Sequence, residues 1–304
     1  MLVIGSTGFI GSHCRESLLG AGFSVHGTST TGAGADLACD VTSPDSVDRT
    51  ISSASPDAVL LTAGQASVAD AWKDPVAAFR INLSGPAHVL DAMQRHCPSA
   101  QLIFASSAGV YGTPGASNSP PFSESDPVAP ESPYGASKAA AEVLCHQYQR
   151  QAGMRVAVAR IFNQIGPGQS DAQAPAEFSR EIVKAERRGD GTLRLPVGNR
   201  LIQRDFTDVR DTARALTCMI EDGVTGNFNV CSGVATSLEE IVAGLEAISP
   251  VKVEIDETGG PRRPGDILAV YGSHEKLSAE TGWHPRIPLQ SSLTDLLQDW
   301  RDRS

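Results

Sequence analysis

Gly5, Gly8 and Gly11 lie three residues apart, directly after the apolar run Leu2-Val3-Ile4 and directly before a helical stretch from Ser12 to Gly20. Glycines at a strand-to-helix junction permit a tight turn and close backbone approach, and they leave the helix N-terminus facing an anion. The spacing is G-x-x-G-x-x-G, which taken alone suits a plain strand–helix turn as well as a phosphate loop. The segments that follow narrow the choice. Phe23 to Gly27, Ala58 to Thr62, Leu102 to Ala105 and Arg155 to Arg160 read as short apolar strands. Between them lie helical stretches near Val47–Ser53, Pro75–His96 and Tyr134–Gln151. Continuous apolar strands alternating with helices predict an α/β chain whose parallel sheet is covered on both faces.

This is the pattern of a Rossmann doubly wound sheet. From Gln164 onward the alternation breaks down, and helices over Ala176–Arg188 and Leu289–Trp300 are separated by irregular segments. The expected division is a dinucleotide-binding Rossmann domain over 1–162, with 204–232 returning to it. A smaller discontinuous C-terminal substrate-binding lobe is then formed by 163–203 and 233–304. A chain of 304 residues is long enough for both.

The formal charge of −10 argues against nucleic acid or an anionic membrane as partner. Cys14, Cys39, Cys97, Cys145, Cys218 and Cys231 are scattered, with no C-x-x-C and no histidine at ligand spacing, so reduced thiols and no metal are expected. No apolar run has bilayer-spanning length, and no leader is recognised ahead of the glycine loop. The expectation is a cytoplasmic protein.

Tyr134 and Lys138 stand four residues apart at the start of a helix, so phenol and ammonium share a face. A free tyrosine titrates near ~10, and a neighbouring cation is expected to pull that value down. A tuned phenol beside a dinucleotide suits hydride chemistry at a carbonyl, where oxygen gains or loses a proton as carbon gains or loses hydride.

Gly5 to Gly11, Thr62-Ala63-Gly64, Ser106 to Gly112 and Tyr134 to Lys138 resemble, in that order, the motifs of the extended short-chain dehydrogenase/reductases, the NAD-dependent epimerase/dehydratase group. The resemblance implies Tyr134 as general acid/base, Lys138 as ribose ligand and tuner, and Ser107 as the hydroxyl that holds the substrate oxygen. It places the dinucleotide against Gly5, Thr7, Gly8, Phe9, Ile10, Gly11, Asp40, Val41, Thr62, Ala63 and Gly64, together with Tyr134 and Lys138. Asp40 reads equally as a helix cap, because Thr42, Ser43 and Asp45 crowd the same turn. Asn82 resembles a helix asparagine that braces the site, and reads equally as a buried structural amide. The second strand ends Gly27-Thr28-Ser29-Thr30 with neither an acid to grip a ribose hydroxyl nor an arginine, so the cofactor is NADP(H) or NAD(H), with NADP(H) favoured.

Similarity to nucleotide-sugar enzymes of this group extends through Phe162-Asn163, Arg204-Asp205-Phe206, Asn229 to Gly233, Arg262 to Asp266 and Gly282-Trp283. It implies Gln65, Ser67, Ser107, Asn163, Arg204, Arg263 and Asp266 as substrate-binding residues, with guanidiniums matched to a diphosphate. Related 4,6-dehydratases carry an acid after the serine; Ala108 and Gly109 stand here and neither moves a proton, which argues against dehydration. Gln65-x-Ser67, Phe162 to Gln169 and Asn229 to Gly233 look most like the GDP-4-keto-6-deoxy-D-mannose reductases. That subgroup is expected to have Gly then Asp where this chain has Ala108 and Gly109. A 4-epimerase holding NAD tightly is the alternative, and an inactive binding or regulatory homologue the third. Helices Pro75–His96 and Tyr134–Arg150 resemble those that pair across a homodimer.

Overall fold

The computed structural model describes residues 1–114, 119–258 and 269–303. Seven parallel strands form the central sheet: β1 (Leu2–Ile4), β2 (His26–Ser29), β3 (Leu37–Ala38), β4 (Ala58–Leu61), β5 (Gln101–Ser107), β6 (Arg155–Ile161) and, later in the chain, β10 (Gly226–Val230). Their spatial order is β10-β6-β5-β4-β1-β2-β3. The chain therefore winds outward one way from β1 and the other way from β4. In open sheets wound this way the ligand crevice lies at that reversal, outside the carboxyl ends of the strands.

Helices α1 (Phe9–Gly20), α2 (Pro44–Ala54), α3 (Val68–Lys73), α4 (Pro75–Phe79), α5 (Gly85–His96), α6 (Pro133–Ala152) and α8 (Val209–Glu221) accompany this sheet. One apolar layer packs Ile4, Leu61, Phe104 and Val158 under α2, α5 and α6. The opposite layer packs Val3, Leu60, Ile103 and Phe228 under α1 and α8. Burial on both faces explains why these strands read as unbroken apolar runs.

A second body contains β7 (Asn163–Ile165), β9 (Gln203–Asp208), β11 (Ala235–Ser237) and β13 (Ala269–Val270) in one small sheet. The pair β8 (Thr192–Pro196) and β12 (Lys252–Asp256) forms another. Helices α7 (Ala174–Arg188), α9 (Leu238–Glu246) and α11 (Leu289–Arg303) close over an apolar core that includes Phe178, Ile182, Leu245 and Leu296. Helix α10 (Glu275–Thr281) packs against β10.

Three expectations need correction. Residues 204–208 do not return to the large sheet: β9 pairs with β7, β11 and β13, and only α8 and β10 rejoin the parallel strands. The buried carboxylate of Asp205 fixes β9 there, accepting from Ser232 N at 2.7 Å and Gly233 N at 2.9 Å. The second strand runs two to three residues later than expected, because Gly5 N and Ser6 N both donate to Thr28 O. The stretch Pro75–His96 is not one α-helix; a π turn over Arg80–Ser84 separates α4 from α5.

The two bodies meet beside the phosphate loop. His13 Nε2 lies 2.9 Å from Pro167 O, and Gly168 N donates to Asp299 at 2.9 Å, so α1, the segment after β7 and α11 are tied together.

Candidate active site

Four carboxyl-terminal strand ends bring the expected motifs together. Strand β1 runs into Gly5, β4 into Thr62-Ala63-Gly64, β5 ends on Ser107, and β6 leads to Asn163. Gly5 sits at φ 95°, and a Cβ there would lie 2.6 Å from Ala63 N, so a side chain would drive the first loop off the second. Thr62 Oγ1 donates to Ile4 O at 3.1 Å and to Gly5 O at 3.3 Å, bracing the turn from β4. Gly8 caps α1 with no side-chain hydrogen bond, and Thr7 and Gly8 are exposed. Phe9 and Ile10 form the first turn behind them. Backbone N–H groups at an uncapped helix start, beside a loop that excludes Cβ atoms, fit a dinucleotide pyrophosphate.

Helix α6 starts where it does because Ser132 Oγ accepts from Gly135 N at 3.0 Å and Pro133 occupies the first turn. Gly135 packs directly on the carbonyl of Gly109, so the start of α6 is pressed against the turn that follows Ser107. Tyr134 is half-buried there, and its ring and Ser107 Oγ flank the same space over Gly109. Ser107 accepts from Gly109 N at 3.1 Å. Lys138 is 5% exposed and donates to Ala105 O at 2.7 Å, with its Nζ 4.9 Å from the Phe104 ring centroid. A Cβ on Gly64 would come 3.3 Å from that Nζ, which places the ammonium under the second loop.

The expected tuning of the phenol is not the one found. Burial pushes Tyr134 above its ordinary value, and Ser107, not Lys138, is the group that pulls it back. Burial lowers Lys138 to about 8, while Cys145 and Glu142 push it up. The Lys138 ammonium is held on Ala105 O, so its charge is directed at β5 rather than at the phenol.

Asn82 lies in the π turn and is 1% exposed. Its Oδ1 accepts from Gln65 N at 2.9 Å, and its Nδ2 donates to Gln65 O at 3.1 Å and to Ser137 Oγ at 3.1 Å. Ser137 in turn donates to Tyr134 O at 2.7 Å. The amide thus splints the loop after β4 to the start of α6. Inserting one residue into the helix here turns Asn82 inward, a role that π turns often serve.

Other expected residues are placed less directly. Asp40 Oδ1 accepts from Thr42 N at 2.9 Å and Thr42 Oγ1 at 2.8 Å, so its carboxylate stabilises its own turn. Val41 is buried against Gly85. Ser67 Oγ caps α3 by accepting from Asp70 N at 3.1 Å. The Oε1 of Gln65 is buried without a partner among the described residues. Asn163 is exposed at the head of β7, and Arg204 on β9 donates to Gln203 O at 2.8 Å. Arg263 and Asp266 lie outside the described residues.

The end of β2 carries two groups that its own sequence did not reveal. Asp36, from the segment before β3, accepts from Gly27 N at 2.7 Å. Arg15 of α1 lies 3.4 Å from the same carboxylate, and its Nε is buried without a partner among the described residues. The absence of acid and arginine in Gly27-Thr28-Ser29-Thr30 is therefore offset by chain folding in from both sides. Only the pairing of Asp36 N with Gly27 O, itself long-range, could have disclosed it.

Among the described residues there is no cluster of His, Cys, Asp and Glu suited to a metal ion, and no helix long and apolar enough to cross a membrane.

Comparison with known proteins places these features in a family. The model of the NAD dependent epimerase/dehydratase family matches residues 1–231. GDP-6-deoxy-D-mannose reductase of Pseudomonas aeruginosa is 36% identical, covering 100% of this chain and 97% of its own length. UDP-glucose 4-epimerase 4 of Oryza sativa subsp. japonica is 29% identical over 97% of this chain and 88% of its own. The solved structure of RMD from Pseudomonas aeruginosa complexed with NADPH superposes with TM-score 0.89 at 35% identity, covering 100% of this chain and 99% of that one. The Thermus thermophilus UDP-glucose 4-epimerase complex with NAD gives TM-score 0.86 at 29% identity over 99% and 98% of the two chains. The chain belongs to the NAD-dependent epimerase/dehydratase family.

Proposed function

We propose that this chain is an NADPH-dependent nucleotide-sugar reductase that reduces the 4-ketone of a GDP-4-keto-6-deoxyhexose. The observation that carries the reading is the convergence of Ser107 and Tyr134 over Gly109 at the carboxyl edge of β5, with Lys138 buried one helical turn further along α6. Full-length similarity to a GDP-6-deoxy-D-mannose reductase and to a structure complexed with NADPH supports the substrate and cofactor.

Gly5 to Gly11, Thr62 to Gly64 and Lys138 would hold the dinucleotide, which when bound would supply the hydride that a carbonyl carbon gains. Tyr134 delivers the proton that the carbonyl oxygen gains, and Ser107 holds that oxygen while charge develops on it. Asn163 and Arg204 are assigned to the nucleotide diphosphate and sugar, with Arg263 and Asp266 assigned to the same ligand, and Gln65 and Ser67 to the sugar edge. Ala108 and Gly109 offer no acid, so water is not expelled.

The test presents GDP-4-keto-6-deoxymannose with NADPH or NADH, follows nicotinamide oxidation and identifies the sugar formed. Stoichiometric oxidation with a 4-hydroxy product supports the reading. Interconversion of UDP-glucose and UDP-galactose without net cofactor oxidation would replace it with the epimerase reading, which the similarity to UDP-glucose 4-epimerases favours.

The partner is a second copy of the chain. Trp72 on α3, Val76 on α4 and Val143 on α6 are 60%, 78% and 66% exposed, on three helices that pack together. Val143→Lys should shift sedimentation from dimer to monomer. The six free cysteines fit a reducing, cytoplasmic setting.

A further inference from the structure

One buried ion pair beneath the reaction centre is used by none of the steps above. Glu142, on α6, and Arg160, on β6, are each 3% exposed. Arg160 Nη2 donates to Glu142 Oε2 at 2.8 Å, and its Nε reaches both carboxylate oxygens at 3.2 Å. Ser106 Oγ donates to Glu142 Oε1 at 2.5 Å. Ser106 and Arg160 face each other across β5 and β6. On its far side the guanidinium donates to the Tyr111 hydroxyl at 3.1 Å, and that hydroxyl donates to Asn229 Oδ1 at 2.6 Å.

The spacing gives this carboxylate its significance. Tyr134, Lys138 and Glu142 recur every four residues on one face of α6. Ser106 precedes Ser107 on β5. A single side chain therefore joins the helix that carries the phenol and ammonium to the strand that carries the hydroxyl. An isolated buried carboxylate would be costly, and the bidentate arginine with the serine satisfies it.

We propose that Glu142 is a positioning residue of the reaction centre: held by Arg160 and Ser106, its carboxylate locks α6, and with it Tyr134 and Lys138, onto β5. The same negative charge favours the Lys138 ammonium. This rests on the reductase reading for its turnover readout, but not for its binding readout. The groups facing Lys138 are Glu142 and Cys145 on its own helix, Phe104 and Ala105 O on β5, and Asn82 in the π turn, with Arg160 beyond Glu142. Among the charged ones, Glu142 is the sole anion that favours the ammonium when Cys145 is a thiol.

Two variants test it. Glu142→Gln keeps the shape and removes the charge, whereas Ser106→Ala keeps both charges and removes the tie to β5. NADPH affinity is read from nicotinamide fluorescence across pH, without any sugar, and turnover is read with the 4-keto sugar. For Glu142→Gln, the alkaline limb of both profiles should move down by about one pH unit. For Ser106→Ala, kcat should fall about fivefold or more with KM and the alkaline limb unmoved, and this variant decides the matter if Glu142→Gln does not fold. A folded Glu142→Gln protein with unshifted limbs, or a Ser106→Ala protein with parental kcat, would overturn the proposal. Absence of sugar turnover in the parent enzyme, with the affinity shift intact, would instead count against the reductase reading alone.

Discussion

Ser107 and Tyr134 converge over Gly109, where an added Cβ would lie 3.4 Å from Ser107 Oγ and 3.6 Å from the Tyr134 ring, and Ser107 Oγ accepts from Gly109 N at 3.1 Å. That bond fixes the serine hydroxyl, so that the phenol meets a preset neighbour rather than a rotor. Tyr134→Phe should lower turnover by roughly a hundredfold or more while NADPH affinity stays near that of the parent. Ser107→Ala should do the same to kcat and also raise the phenol further, since Ser107 is the group that counteracts burial. Stopped-flow kinetics and equilibrium binding separate the two effects; unchanged turnover in Tyr134→Phe would remove the phenol from the mechanism.

Lys138, assigned above to the cofactor, also bears on stability. Its side chain is lowered from 10.5 to about 8 by burial, so the folded state releases a proton that the unfolded chain keeps up to higher pH. Folding is penalised at neutral pH, and the penalty fades as pH climbs from about 8 towards 10.5. Lys138→Met should therefore be inactive yet more stable than the parent at pH ~7, with the gap narrowing by pH ~10. Urea unfolding at the two pH values measures it. A parental protein whose stability is flat over that window would mean that the lysine is not desolvated.

Most of the large sheet was legible in the sequence, and for a definite reason. Strands such as Ala58–Leu61 and Arg155–Ile161 are buried on both faces, so their apolar runs stand out against the helices between them. Tyr134, Lys138 and Ser107 could be singled out because each lies within a short local motif, and the fold brings those motifs to neighbouring strand ends. What escaped was long-range. Nothing local in Gln203-Arg204-Asp205 says that the strand pairs with β7, β11 and β13. Nothing local in Ser67 separates a helix cap from a ligand contact. The Glu142–Arg160 pair is separated by 18 residues, and only folding shows that one carboxylate serves two strands and a helix.

Gly109 is a site where sequence departs from the expected subgroup and the backbone does not demand it. Its φ is not in the left-handed region, and an added Cβ would lie 3.4 Å from Ser107 Oγ and 3.6 Å from the Tyr134 ring. Those are ordinary contacts, so the fold should accept Gly109→Ala with a stability change within about 1 kcal/mol. The methyl group would nevertheless stand beside the reacting hydroxyls. kcat/KM for the 4-keto sugar should fall about tenfold or more with NADPH binding unaltered. Steady-state kinetics with thermal melts checks both halves.

Asn82 offers a structural test of the site's frame. Asn82→Ala deletes three hydrogen bonds at once and leaves Gln65 N without its acceptor in a part-buried loop. The expected cost is about 2–4 kcal/mol of unfolding free energy, read from denaturant titration. Because the amide also reaches Ser137, and Ser137 the backbone of Tyr134, kcat should fall in the fraction that remains folded.

Arg15 and Asp36 carry the prediction for the proposed cofactor preference. Their separation of 3.4 Å is long for a charge-assisted bond, and both side chains are about 40% exposed, so the pair is weak and the guanidinium can be drawn away. Asp36 is anchored elsewhere: the Gly27 N–H at 2.7 Å is the first cause holding its carboxyl below the usual range. It stays charged and fixed while Arg15 Nε has no partner among the described residues. A ribose 2′-phosphate would compete with Asp36 for the guanidinium, whereas a 2′-hydroxyl would compete far less. Arg15→Ala should therefore weaken NADPH about tenfold and leave NADH within about twofold, since only the phosphate gains a charged partner. Asp36→Asn should act in the opposite sense, strengthening NADPH by removing a fixed negative charge and releasing Arg15. Parallel titrations of both nucleotides against the parent and the two variants decide it: equal losses of NADPH and NADH in Arg15→Ala would show that the arginine supports the adenosine half of either cofactor rather than reading the phosphate.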